Sequence, residues 1–154
     1  MRVYLVQHGD ALDKSVDPER PLSPQGKADV RTVAVFLENK LSKVKQVRHS
    51  GKPRARQTAE ILAQHAAPQA KVVETPGLGP QDPVEPVRKD IEKHGGDLML
   101  VGHMPFMGRL AGLLVCGDES AEPVVFKKGG VVCLENAEGD AWAVHWYIPP
   151  ELVR

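Results

Sequence analysis

Val3-Tyr4-Leu5-Val6-Gln7-His8-Gly9-Asp10 is an unbroken apolar run of four residues that stops abruptly at polar residues and a glycine. A strand with one face in water alternates apolar and polar residues, whereas a strand covered on both faces reads as a continuous apolar run. Residues 3–6 therefore predict an interior strand of a mostly parallel sheet with helices on either side. His8 then falls just past the strand's carboxyl end.

Outward from this strand, helical and strand patterns alternate. Residues 10–22 are polar and broken by Pro18 and Pro21, which predicts a loop over the strand end. Ser23-Pro24 opens a helix, with Ser as N-cap and Pro at the first helical position. Val30, Val33, Ala34, Leu37 and Leu41 follow at helical spacing. A strand is expected over 44–49, a helix over 54–65 with Thr58, Ile61 and Leu62 facing inward, and a short strand over 71–74. Val84, Val87 and Ile91 mark a further helix. Leu98 to Val101 is a second buried-strand signature, and 105–114 is a helix in which Phe106 and Met107 are packing residues. The tail changes to short strand-like runs at 124–126, 131–134 and 141–147, with a hairpin turn over 136–140. The fold class expected is α/β: a three-layer α/β/α sandwich with a mostly parallel central sheet and an antiparallel edge strand.

The 154 residues suit a single domain over 1–154. Twenty basic and twenty acidic residues give zero formal charge, so no global field draws the protein to nucleic acid or an anionic membrane. Neither partner is expected, and electrostatic recognition has to be local. Residues 1–6 are too short for a signal peptide and no apolar run nears the ~20 residues that span a bilayer, so a cytoplasmic location is expected. Cys116 and Cys133 fit a reducing compartment better than a disulfide framework. Their spacing gives no metal motif, and neither metal nor cofactor is expected.

His8, the segment 50–58 and His103 each directly follow an expected strand, so in an open parallel sheet they gather at the carboxyl edge where ligands bind. One histidine after a strand is an ordinary surface or structural residue. Three distant segments converging on one crevice are a candidate site. A neutral imidazole is a good nucleophile near pH 7. Its attack on phosphorus would give a phosphohistidine that water hydrolyses, splitting one hard step into two. Phosphoryl transfer asks mainly for alignment and charge stabilisation. Arg54, at a helix start, can offer a bidentate fork to two phosphoryl oxygens, and a protonated His103 could donate to a third.

These segments resemble the histidine phosphatase, or phosphoglycerate-mutase-like, superfamily. Gln7-His8-Gly9 is similar to its Arg-His-Gly motif, with Gln7 where Arg is usual. Ser50 to Ala59, ending Arg54-Ala55-Arg56-Gln57-Thr58-Ala59, is similar to its Ser-Pro-x-x-Arg-Ala-x-Gln-Thr segment, with Gly51 replacing Pro. Gly102-His103-Met104-Pro105 and Pro21-Leu22-Ser23-Pro24-Gln25-Gly26 match its late His motif and its helix start. The resemblance implies a catalytic set of His8, Arg54 and His103, with Gln7, Gly9, Arg54 and His103 binding phosphate. Gly9 is expected to permit a tight turn that aims His8. Asp10 either orients that turn or is solvated. Arg20, Lys52 and Arg56 are expected as solvated charges, and His65, His94 and His145 as surface or packing residues.

Members that act on small phosphate esters usually carry longer insertions and a Glu acid after the third strand. Here the corresponding loop offers only Asp82, with Glu74 just before it. An ester needs a proton delivered to a poor alkoxide leaving group, whereas a phosphohistidine leaves as an easily protonated imidazole. The resemblance thus points to the compact SixA type, acting on a phosphohistidine-bearing protein of a phosphorelay or phosphotransferase system. Two alternatives stand beside it. One is a phosphoester phosphatase using Asp82 or Glu74; the other is a weakly active or non-catalytic phosphoprotein-binding module, given the neutral Gln7.

Overall fold

The apolar run at the amino terminus forms β1 (Arg2–Gln7), and it lies inside the sheet. Tyr4 and Val6 enter one core cluster, Val3 and Leu5 the other, so both faces are covered. The computed structural model describes residues 1–136 and 141–154. Along them follow α1 (Pro24–Phe36), β2 (Gln46–His49), α2 (Pro53–Ala66), β3 (Lys71–Glu74), α3 (Glu85–His94), β4 (Leu98–Gly102), α4 (Phe106–Cys116), β5 (Val131–Glu135), β6 (Ala143–Ile148) and the short α5 (Pro150–Val153). The hairpin turn expected over 136–140 falls on 137–140, outside the described residues, save for Asn136.

The strand order is β3-β2-β4-β1-β5-β6, with β1 to β4 mutually parallel. The chain steps outward from β1 to β2 to β3, then returns to place β4 between β2 and β1. Right-handed crossovers put the helices of outward steps on one face and the helix of the return step on the other. Accordingly Val30 and Val33 of α1 and Ala59 and Leu62 of α2 pack with Tyr4, Val6, Val47 and Met99. Val87 and Ile91 of α3, with Phe106 and Leu110 of α4, pack with Val3, Leu5, Leu98 and Leu100. This is the expected three-layer α/β/α sandwich.

The antiparallel edge is there as well: β6 pairs antiparallel with β5, which itself runs antiparallel to β1. That reversal brings the start of β5 to the carboxyl edge, where Val131 pairs with Val6. Residues 124–126 are a correction. They form no strand; Val124 and Phe126 pack on the core while Val125 is 73% exposed. Their β-branched composition suits a strand, yet among the described residues no strand pairs with them. Helix α1 ends at Phe36, so Leu37 and Leu41 are buried from the turn that follows it.

Ser23 caps α1 as expected, its Oγ accepting from the Gly26 amide at 3.0 Å. A Cβ on Gly26 would lie 2.0 Å from the Asp10 carbonyl oxygen, so only glycine lets the helix start approach the loop. No helix among the described residues is long and apolar enough to cross a membrane.

Candidate active site

With β4 between β1 and β2, the carboxyl ends of three adjacent strands present His8, Ser50 to Arg54, and His103 side by side. The His8 and His103 rings lie 5.1 Å apart, centroid to centroid. His8 is 8% exposed and His103 2%. Both are buried polar rings, so the hydrogen bonds each makes decide what each can do.

His8 Nδ1 lies 2.7 Å from the carbonyl oxygen of Gly9. A carbonyl only accepts, so Nδ1 carries the proton and Nε2 keeps its lone pair. Among the described residues Nε2 makes no hydrogen bond. Burial, partly opposed by that carbonyl, and then the charges of Arg54, Lys128 and Arg20 lower the pKa of His8 to about 4. The ring is therefore neutral and nucleophilic at pH 7.

His103 is held through the other nitrogen. Its Nε2 lies 2.7 Å from Ser50 Oγ, which also accepts from the Lys52 amide at 3.4 Å. We assign His103 the tautomer in which the Ser50 hydroxyl donates to Nε2 and the ring proton sits on Nδ1. Burial, then His8, Arg54 and Lys52, lower the His103 pKa to about 3. The ring is therefore neutral at pH 7 and offers one N–H, where the sequence had left room for a protonated ring.

Three buried side-chain nitrogen or oxygen atoms among the described residues lack a partner: Arg54 Nε, His103 Nδ1 and Tyr147 Oη. Leaving a buried donor unpaired costs about 1–3 kcal/mol, so two such donors beside one nucleophile mark a place built for an anion. Burial and then the nearby charge of Arg20 push the Arg54 guanidinium below its ordinary pKa, and it remains cationic at neutral pH.

The surrounding residues hold this arrangement. Thr58, fully buried, accepts from the Gly9 amide at 3.0 Å and donates to the Arg54 carbonyl at 2.7 Å, tying the turn after β1 to the start of α2. Gln57 Oε1 accepts from the Leu22 amide at 2.7 Å. Gly9 does not adopt a left-handed φ; what glycine supplies there is space, since a Cβ would come within 2.8 Å of Val30 Cγ2. Gln7 ends β1, its carbonyl accepting from the Gly129 amide, while the His8 amide donates to Gly102. Asp10 orients the turn: Oδ2 accepts from Ser23 Oγ at 2.7 Å and Oδ1 pairs with Lys128 at 3.5 Å. The Ser23 bond leads the causes that lower its pKa.

Of the cations expected at the surface, Arg56 is exposed and pairs with Glu60. Arg20 is different. It is partly buried, takes a left-handed φ of 50°, and donates from Nε to the Leu12 carbonyl, with its charge bearing on His8 and Arg54. Asp82 spends its carboxylate on the Gly79 amide at 2.7 Å, and Glu74 packs against Gly51. Among the described residues neither bonds to His8, Arg54 or His103, and no cluster of three or more His, Cys, Asp or Glu side chains could hold a metal ion. Phe106 and Met107 are fully buried packing residues. Ser50, Gln57 and Thr58 hold the candidate site's residues and loops in place without having been singled out from sequence, their position inside the Ser50–Thr58 segment being the available signal, and Lys128 pairs with Asp10 beside it.

Comparison with known proteins gives the family and the fold. The phosphohistidine phosphatase SixA of Escherichia coli is 25% identical over 97% of this chain and 94% of its own. An uncharacterized protein of Picosynechococcus sp. is 31% identical over 88% of this chain and 86% of its own. A structure of the protein histidine phosphatase SixA complexed with tungstate superposes with a TM-score of 0.86 and 24% identity over the full length of both chains, a likeness of fold. The model of the histidine phosphatase superfamily (branch 1) matches residues 3–83, more than half the sequence. The chain belongs to that superfamily and is a phosphatase.

Proposed function

We propose that the protein removes the phosphoryl group from a phosphohistidine on another protein, by way of a phospho-His8 intermediate. The observation that carries this reading is a pair of buried donors that lack a partner among the described residues, Arg54 Nε and His103 Nδ1, beside an imidazole whose Nε2 makes no hydrogen bond among them. His8 Nε2 bonds to phosphorus as the P–N bond to the substrate imidazole breaks, and the departing nitrogen takes a proton from water. Water then attacks phospho-His8, inorganic phosphate leaves, and the ring recovers its lone pair. Arg54 and His103 hold the equatorial oxygens, the Gln7 amide adds a neutral donor, and Gly9 leaves room for the turn that aims His8.

The leaving group follows from the carboxylates. Among the described residues neither Asp82 nor Glu74 bonds to His8, Arg54 or His103, so a substrate whose leaving group is readily protonated from solvent fits best. The similar SixA of Escherichia coli is a phosphohistidine phosphatase, which supports the same class of substrate here. A phosphohistidine domain of a phosphorelay or phosphotransferase-system protein is the partner proposed. Turnover of such a protein and of a phosphoserine peptide by the same preparation tests the reading. Rapid loss of label from the phosphohistidine protein alone is expected. Comparable rates on both would move the assignment to the phosphoester class.

A further inference from the structure

The motif that carries the nucleophile lacks its usual cation, because Gln7 stands where the superfamily resemblance implies Arg. The turn before β5 brings another one. Because β5 runs antiparallel to β1, its start lies at the edge where His8 emerges. The Gly129 amide donates to the Gln7 carbonyl at 2.9 Å, and the Gly130 amide closes the turn on the Lys127 carbonyl at 3.0 Å. Gly129 has a φ of 79°, and a Cβ there would lie 3.9 Å from Gly9 Cα. Lys128, immediately before it, extends to Asp10, two residues beyond the nucleophile. Its Nζ is 3.5 Å from Asp10 Oδ1, while Ser23 fixes the other oxygen of that carboxylate.

We propose that Lys128, held at the mouth of the site by Asp10, binds a phosphoryl oxygen and supplies the positive charge that Gln7 lacks. The inference rests on the phosphatase reading above and adds a residue to it. The Lys128 ammonium is half-exposed on a flexible stem, and its pairing with Asp10 is long, so it is free to turn towards a dianion arriving at His8. Its charge already bears on the His8 ring, as does that of Arg20. A point charge on a mobile stem can replace a guanidinium in neutralising phosphate, although it cannot reproduce a bidentate fork.

The test is a charge swap read by affinity for orthovanadate, with turnover of a phosphohistidine protein measured beside it. Lys128→Met should weaken vanadate binding about tenfold or more and lower turnover in step. Lys127→Met, the adjacent exposed lysine, should change either by less than about twofold. Gln7→Arg should gain little in the natural protein but restore most of the loss in the Lys128→Met background, a coupling that two independent residues would not show. Lys128→Met with unchanged affinity, or a Gln7→Arg effect equal in both backgrounds, overturns the proposal while leaving the phosphatase reading intact if the natural protein turns over. A natural protein that neither binds vanadate nor releases phosphate overturns both.

Discussion

His8 and His103 begin alike, each just past the carboxyl end of a buried parallel strand and only 5.1 Å apart, yet they are anchored through opposite nitrogens. His8 gives its Nδ1 proton to the carbonyl of the next residue and keeps a lone pair on Nε2. His103 accepts a hydrogen bond at Nε2 from the Ser50 hydroxyl and is left with an N–H at Nδ1. In the proposed reaction one ring is thereby the nucleophile and the other a donor. The division is set by which partner each ring meets, since burial and neighbouring cations make both neutral.

The strongest way to break this contrast is to remove the nucleophile. His8→Ala should lower turnover by at least roughly a thousandfold, because the remaining ring is tied the wrong way round to replace it. Radioactive phosphate trapped on the protein by rapid quench should disappear in the same variant. Near-full activity would reject the covalent route. Next in size, Arg54→Ala removes a charge-assisted contact worth about 1.5–3 kcal/mol, so vanadate should bind about ten- to a hundredfold more weakly. Lys52→Ala, whose side chain is exposed, should do much less. Equal losses would remove Arg54 from its assigned place.

A finer test exchanges the anchor alone. Ser50→Ala frees His103 to adopt either tautomer, and the loss of one neutral hydrogen bond should lower turnover only about three- to tenfold. Nitrogen chemical shifts of the His103 ring should then report a tautomer mixture where the natural protein has the Nδ1–H form. Unchanged shifts would mean that Ser50 does not select it.

The smallest effect near neutrality is that of pH. His8 should titrate near 4 instead of 6.5, observable from its ring protons. Its folded pKa lies below its unfolded value, so the unfolded chain binds more protons between the two. The associated stability is fully present above about pH 6.5 and is lost as pH falls through 6.5 towards 4. The urea midpoint should thus drop between pH 7 and 5, and drop less in His8→Ala. An equal drop in both would mean that the His8 ring is not held neutral.

The fold was readable where a short stretch determines its own surroundings. Four apolar residues at β1, the Ser23-Pro24 helix start and the helical spacing through Val30 and Val33 each carry their meaning locally. The gathering of His8, Arg54 and His103 at one edge was readable because each lies just past a strand, and parallel strands put those ends together. What escaped depended on partners distant in sequence. The tautomer of His103 is set by a serine 53 residues away. The approach of Lys128 to Asp10 spans 118 residues and depends on the reversal of β5. Residues 124–126 carry a strand-like composition but pair with no strand among the described residues, and composition alone does not reveal a missing neighbour.

The loop between β1 and α1 is pinned where it leaves and where it returns. Ser23 bonds to Asp10, Leu12 pairs with Pro21, Ala11 bridges to Leu22, and Gln57 holds Leu22 from α2. A loop whose ends are already joined adds little closing entropy as it grows, about 0.6 kcal/mol for each doubling of length. The exposed tip around residues 14–17 can therefore lengthen or change composition without disturbing the turn that aims His8. The same stapling that keeps His8 still leaves the rim open to variation, so what the rim touches can drift while the arrangement beneath it stays constant.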